Sequence, residues 1–208
     1  MGERLRIHPV TPQRRFVERA SRTLADHGVV ILPTDTTYAF TARPGSKAAL
    51  EKISRIKQFD PERKLFSLIV PDLSDVARYA LVTNHSYRIL RRFLPGPYTF
   101  ILPASREVPR ILLSKRKTIG LRVPDHTVCR EVARAAGGGL LATSLRLPGD
   151  EYPLMDPDEI DARLLRRVDL FLDCDWGGIE PSTLVDLSGE EGPQLVREGA
   201  GDIAAFKD

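Results

Sequence analysis

The chain has 208 residues, 42% hydrophobic and 28% charged, with a formal net charge of +3. That length suits one sizeable globular domain, and the balance excludes disordered and fibrous classes. Met1 to Ile7 is charged rather than apolar and no apolar run approaches ~18 residues, so the expectation is a cytoplasmic protein with no membrane partner.

In chain order, helix-period and strand-period segments alternate. Thr11 is a candidate helix cap with Pro12 at the first position; Phe16, Ala20 and Leu24 share one face, and Gly28 stops the helix. Val29 to Leu32 is a continuous apolar run, the pattern of a strand covered on both faces. Beyond Pro33 it delivers Thr34, Asp35, Thr36 and Thr37. Ser46 opens a second helix with Ala49, Leu50, Ile53 and Ile56 on one side. Leu65 to Val70 reads as a strand. Ser74 to Tyr79 and Ser86 to Leu94 read as helices, the second with Tyr87, Leu90 and Leu94 on one face. Pro95-Gly96-Pro97 ends it, and Tyr98 to Leu102 is a strand.

Further strands are expected at Thr118 to Val123, Leu140 to Ser144, Val168 to Leu172 and Thr183 to Leu187, with Leu195 to Glu198 a candidate last one. Asp125 caps a helix carrying Val128, Val132 and Ala136, which Gly137 to Gly139 terminate. Asp156-Pro157 opens another, carrying Ile160 and Leu164. No repeat or composition shift divides the chain. These elements predict one α/β domain over 1–208. Its sheet should be twisted and mixed, parallel and antiparallel, because not every connection contains a helix.

Several chemistries find no support. His8, His27, His85 and His126 have no neighbours at metal-ligand spacing, so no metal site is expected. There is no GxSxG elbow and no Walker A sequence, and Gly137 to Gly139 follow a helix, the wrong order for a phosphate loop. Cys129 and Cys174 lack CxxC spacing and suit free thiols in a reducing compartment.

What remains is hydroxyls and cations at strand ends. Thr34 to Thr37 end one strand, and Thr143-Ser144 another; Thr118 and Arg122 share a third, Ser182-Thr183 start a fourth, and Arg197 follows Leu195-Val196. Arg122 alternates with Leu121 and Val123 and should point away from them. Lys57 and Lys64 lie seven residues apart around a turn, which suits a polyanion better than a helix face does. A buried strand ending in polar groups is how open α/β sheets meet a ligand. The basic clusters Arg91-Arg92, Lys115-Arg116-Lys117 and Arg163 to Arg167 also allow nucleic acid as a partner.

At these residues the chain resembles the YrdC-like family, which includes the threonylcarbamoyl-AMP synthases. The resemblance runs from about Val30 to Gly199 and rests on Pro33-Thr34-Asp35-Thr36, Lys57 with Lys64, Arg122-Val123-Pro124, Thr143-Ser144, Pro181 to Asp186 and Val196 to Gly199. It implies a YrdC-like fold with a positively charged concave face. It also implies adenylyl transfer from ATP, bound with Mg²⁺ as a substrate complex, to a carbamate made from L-threonine and bicarbonate. No tightly bound cofactor is implied. Thr34, Lys64, Arg122 and Ser182 would then hold threonine; Lys57, Thr118, Ser144 and Arg197 would surround ATP; and Lys57, Lys64 and Arg197 would serve catalysis. Phe59 and Arg146 depart from the family's arginine and asparagine at those places, a pattern most like its YciO branch. Those departures keep open an RNA-binding module, for tRNA, double-stranded RNA or the ribosome, with a repurposed nucleotide pocket.

Overall fold

Ser46 caps the second helix as its spacing predicts: its Oγ accepts the Ala49 N–H at 3.3 Å, and Ala49, Leu50, Ile53 and Ile56 are all buried. The computed structural model describes residues 2–59, 66–189 and 191–206. Its helices are α1 (Arg14–Ala25), α2 (Lys47–Lys57), α3 (Leu73–Tyr79), α4 (Asn84–Phe93), α5 (Thr127–Ala135) and α6 (Pro157–Leu164). Its strands are β1 (Glu3–Arg6), β2 (Val30–Leu32), β3 (Ala39–Ala42), β4 (Ser67–Ile69), β5 (Tyr98–Pro103), β6 (Thr118–Arg122), β7 (Leu140–Ser144), β8 (Leu170–Asp173), β9 (Thr183–Asp186) and β10 (Gln194–Arg197).

These strands form one sheet in the order β1-β8-β2-β3-β7-β4-β6-β5-β9-β10. The pairs β1–β8, β2–β8, β4–β6 and β5–β9 are parallel; β2–β3, β3–β7, β4–β7, β5–β6 and β9–β10 are antiparallel. The sheet is therefore mixed, as the missing crossover helices require. No helix among the described residues is long and apolar enough to cross a membrane.

Several local expectations shift. Thr11 does not cap α1; its hydroxyl sits 3.0 Å from His8 Nδ1, and the helix starts at Arg14 after Gln13, which makes no side-chain cap. The buried stripe accordingly runs through Val17, Ala20 and Leu24, with Phe16 only half-buried. In α4 the Thr83 hydroxyl caps Ser86 N–H at 3.1 Å, so Ser86 and Leu90 turn inward and Tyr87 faces solvent. Asp125 does not cap α5 through its side chain: His126 occupies the cap, the helix ends at Ala135, and Ala136 is exposed.

Two strands escape the sequence patterns. β3 is short and carries Thr41, whose buried hydroxyl is satisfied by donating to the Val30 carbonyl at 2.8 Å. β1 is charged, and tertiary ion pairs hold it at the sheet edge. Arg4 reaches Asp173 at 2.8 Å and Asp158 at 2.7 Å.

The two faces of the sheet differ in cover, and that difference makes the site. On one face α2, α3, α4 and α6 press Ile53, Val76, Leu90 and Ile160 onto Ile31, Phe40, Leu68, Phe100 and Leu121 in the larger core. On the other, α1 and α5 cover only part of the sheet, packing Leu24 and Val132 against Val30, Ile69, Ala142 and Leu170. Period-two alternation places Ser67, Thr99, Gly120, Arg122 and Ser182 on this second face, outside the smaller core, to which their strands contribute Ile69 of β4 alone. Polar residues occupy that uncovered stretch because water or a ligand can satisfy them there.

Candidate functional site

The Thr34–Thr37 segment folds on itself before it meets anything else. Thr34 Oγ1 donates to the Thr37 carbonyl at 2.7 Å and accepts the Thr36 N–H at 3.2 Å, a local turn of the kind short hydroxyl side chains favour. The turn delivers Asp35 and Thr36 to the end of β6. There Arg122 Nη2 donates to Asp35 Oδ1 at 2.8 Å and to Thr36 Oγ1 at 2.9 Å, while Asp35 Oδ2 accepts the Asp125 N–H at 3.0 Å. The pair is nearly sealed, the Arg122 and Asp35 side chains being 10% and 8% exposed. Arg122 Nε is buried without a partner among the described residues. His126, beside this pair, is held below the ordinary histidine pKa by burial, against the pull of Asp35 and Asp125.

Gly178 lies flat on this turn. A Cβ there would stand 2.0 Å from the Thr36 carbonyl oxygen, a contact with backbone that no rotamer relieves. Gly178→Ala is therefore expected to lower the melting temperature and to weaken ligand binding together, with about 1–3 kcal/mol of lost stability. A variant with wild-type values of both would show that the loop is free to move off the turn.

Thr36, Thr37 and Arg122 form one wall of a depression of about 320 Å³. Of the residues picked from sequence, Thr118, Arg122, Ser144, Ser182 and Arg197 all line it. Ser182 Oγ sits 2.7 Å from Thr99 Oγ1, and Thr118 Oγ1 sits 2.7 Å from Ser114 Oγ. Each of these hydroxyl pairs retains capacity for a ligand. Arg197 Nη2 donates to the Ser182 carbonyl at 2.8 Å. Partial burial, then repulsion from Arg122, lower the Arg197 pKa. Phe66, Ile101 and Leu112 give the depression an apolar side suited to a flat ring.

Thr34 stands behind the wall, its hydroxyl engaged in the turn, and Lys64 lies outside the described residues. Lys57, the last residue of α2, is absent from the lining but reaches it. Its Nζ donates to the Ser144 carbonyl and, at 3.3 Å, to Thr143 Oγ1. Burial, and then Arg146, bring the Lys57 ammonium down to about 8. Phe59 is half-buried and packs its ring 5.4 Å from that of Phe66, on the edge of the larger core. No cluster of metal-ligating side chains occurs among the described residues.

Sequence reasoning placed Thr36 and Thr37 in a strand-end candidate segment, and both line the depression, but it missed Thr99 and Ser114 as lining residues and Asp35 as the partner of Arg122. Thr99 was within reach: it alternates with Tyr98 and Phe100, the argument that oriented Arg122. The Asp35–Arg122 pair was not, because 87 residues separate the two and only the sheet order brings them together.

The chain's relatives agree with this architecture. The model of the Sua5/YciO/YrdC family, described as telomere recombination, matches residues 22–199. YciO of Escherichia coli is 42% identical over 207 residues, 99% of this chain and 100% of that protein. The crystal structure of E. coli YciO has a TM-score of 0.93 at 41% identity and full coverage of both chains. The threonylcarbamoyl-AMP synthase of Stenotrophomonas maltophilia is 33% identical over 178 residues, 83% of this chain and 95% of that one. P. abyssi Sua5, solved in complex with L-threonine, shares the fold with a TM-score of 0.85 at 20% identity, over 95% of this chain and 57% of its own. With a family model spanning most of the sequence and YciO matched end to end, the chain belongs to the Sua5/YciO/YrdC family.

Proposed function

We propose that the protein is a threonylcarbamoyl-AMP synthase-type nucleotidyltransferase, converting ATP, L-threonine and bicarbonate into threonylcarbamoyl-AMP and pyrophosphate for tRNA modification. The threonine amine combines with bicarbonate to give a carbamate and water. A carbamate oxygen then attacks the α-phosphorus in line, and the bond to the β-phosphate oxygen breaks. The step needs no side-chain nucleophile; it needs positioning and cations against phosphate charge. Arg122, Thr36 and Ser182 would hold the amino acid, with Thr34 shaping the turn behind them. Thr118 and Ser144 would face the nucleotide, and Lys57 and Arg197 would meet its phosphates. Mg²⁺ would enter with ATP as part of the substrate. Lys64 keeps its proposed role on the loop outside the described residues.

The observation that carries this reading is how charge is distributed around one depression. Arg122 is neutralised by Asp35, whereas Arg197 and Lys57 have only carbonyl or hydroxyl partners among the described residues. Two cations without carboxylates, beside a polar and partly apolar cavity, match a phosphorylated substrate. The test is pyrophosphate release by the pure protein with ATP, L-threonine and bicarbonate, each omitted in turn. Release that depends on all three supports the reading; none with the complete mixture rejects it.

A second reading, an RNA-binding surface, is favoured by Lys115, Arg116 and Lys117, all exposed on the turn that enters β6. If this loop contacts RNA, binding to double-stranded RNA or tRNA falls steeply with salt, and alanine at all three positions lowers the salt slope by roughly 2–3. Unchanged slopes would remove the loop from any RNA contact, and absence of binding at low salt would remove the reading.

A further inference from the structure

A second cavity, of about 390 Å³, opens at the other end of β7 from the depression. Leu140 lines the one and Ser144 the other, roughly 13 Å apart along the strand. The C-terminal ends of α1 and α5 border it, at Ala25 and Ala135, and so do Pro44, just after β3, and Pro109. Three charged side chains, Arg43, Arg78 and Glu107, line it, all exposed, and among the described residues none of them forms an ion pair. Arg78 Nη1 donates to the Gly137 carbonyl at 3.0 Å, which holds the guanidinium in place and leaves its other donors open. Tyr79 lines the cavity as well, although it is only 6% exposed. Its hydroxyl accepts the Gly139 N–H at 2.9 Å, and its own proton has no acceptor among the described residues. A Cβ at Gly138 would stand 2.8 Å from Tyr79 Oη and 2.9 Å from Arg78 Nη1, so the two donors are neighbours across that glycine.

We propose that this cavity binds a small ligand that carries one ammonium group and two negative charges, an acidic amino acid or a phosphorylated amine. The charge inventory of the wall selects that class. A bare anion would meet the Glu107 carboxylate and the negative ends of two helices. A bare amine would meet two guanidinium groups. A ligand bearing both kinds of group answers each: anionic oxygens at Arg78, the Tyr79 hydroxyl and Arg43, and the ammonium at Glu107. Arg78 and Tyr79 are the anchor, a fixed cation beside a buried O–H that lacks an acceptor, and charge-assisted bonds to carboxylate or phosphate oxygen suit both. The volume falls in the range of small-molecule sites. The site is separate from the depression and stands whether or not the adenylyl-transfer reading holds.

NMR titration of the ¹⁵N-labelled protein tests this with two pairs of probes, each set against its amine-free counterpart: L-glutamate with glutarate, and O-phosphoethanolamine with ethyl phosphate. L-glutamate or O-phosphoethanolamine should move the amide signals of Gly137 to Gly139 and of Glu107, and leave those of Ser144 and Ser182 in place. Whichever of the two binds more tightly identifies carboxylate or phosphate as the source of the negative charge. Its amine-free counterpart should bind roughly tenfold more weakly. Arg43→Gln and Arg78→Gln should each weaken the better ligand roughly tenfold, and Glu107→Gln should erase the preference for the aminated member of the pair. All three side chains are exposed, so the variants should keep the fold, which a thermal melt checks. Equal affinity for both members of each pair in wild type would overturn the proposal, because the ammonium would then play no part. Unchanged affinity in Arg78→Gln would overturn it too. If no probe moves the glycine signals, or if only Ser144 and Ser182 respond, the cavity is not a site for this class and the proposal falls.

Discussion

Asp35→Ala is expected to destabilise the protein by about 3–5 kcal/mol, because it leaves the buried Arg122 guanidinium without its carboxylate. For a chain of this size that corresponds to a fall in melting temperature of roughly 6–20 °C. The cost belongs to the orphaned charge rather than to lost attraction. Asp35→Leu combined with Arg122→Met should therefore recover most of the stability while still failing to bind L-threonine. Thermal or chemical denaturation of the two single variants and the double variant measures the coupling, and threonine titration reads the site separately. A loss below about 1 kcal/mol in Asp35→Ala would mean that water reaches Arg122 and that the pair is not sealed. Threonine affinity retained by the double variant would remove Arg122 from the proposed amino-acid subsite.

Lys57→Met should move stability and function in opposite directions. The Lys57 ammonium is shifted from 10.5 down to about 8 by burial and by Arg146. Below pH 8 the lysine is charged in both states, and the folded state bears the full desolvation cost. As pH rises from 8 toward 10.5 the folded protein releases the proton while the unfolded chain retains it, so stability rises through that window. Methionine removes the buried charge. At pH 7 it is expected to raise unfolding free energy by about 1–3 kcal/mol and to abolish the gain between pH 8 and 10.5. On the proposed function the same change removes a cation proposed to meet the phosphates, and such a loss typically costs about 2–4 kcal/mol of transition-state stabilisation, or 10²–10³ in rate. Denaturation at pH 7 and pH 10, set beside pyrophosphate release, gives both readouts. A variant less stable than wild type at pH 7, or one with unreduced turnover, would contradict this account of Lys57. Opposed effects of this kind are the trade-off expected where function requires a destabilised charge.

The sequence determined the elements whose signals are local. The cap at Ser46, the stripe of Ala49, Leu50, Ile53 and Ile56, the apolar run of β2, and the Asp156-Pro157 start of α6 all lie where backbone chemistry and period place them. The alternation of Leu121, Arg122 and Val123 also sufficed to aim Arg122 away from the larger core. Where the local signal was ambiguous, tertiary structure chose. Two cap candidates gave way: the Thr11 hydroxyl turns to His8, and His126 takes the cap position that Asp125 was expected to fill, while the Asp125 N–H is held by Asp35. β3 and β1 exist because neighbouring strands and the Arg4 ion pairs hold them, with no periodic apolar pattern of their own.

For the site, residue types were legible and their relations were not. Hydroxyls and cations at strand ends can be read from the chain, and so can a likeness to a family. Which of them face one depression depends on the strand order β7-β4-β6-β5-β9, which sets Ser144, Thr118, Arg122 and Ser182 side by side. The burial of Asp35 against Arg122, and the crowding of Lys57 by Arg146, follow from that order and from the partial cover that α1 and α5 give one face. Pairing and desolvation are properties of neighbours in space, and a linear pattern with a period of two or of 3.6 carries no information about neighbours scores of residues away.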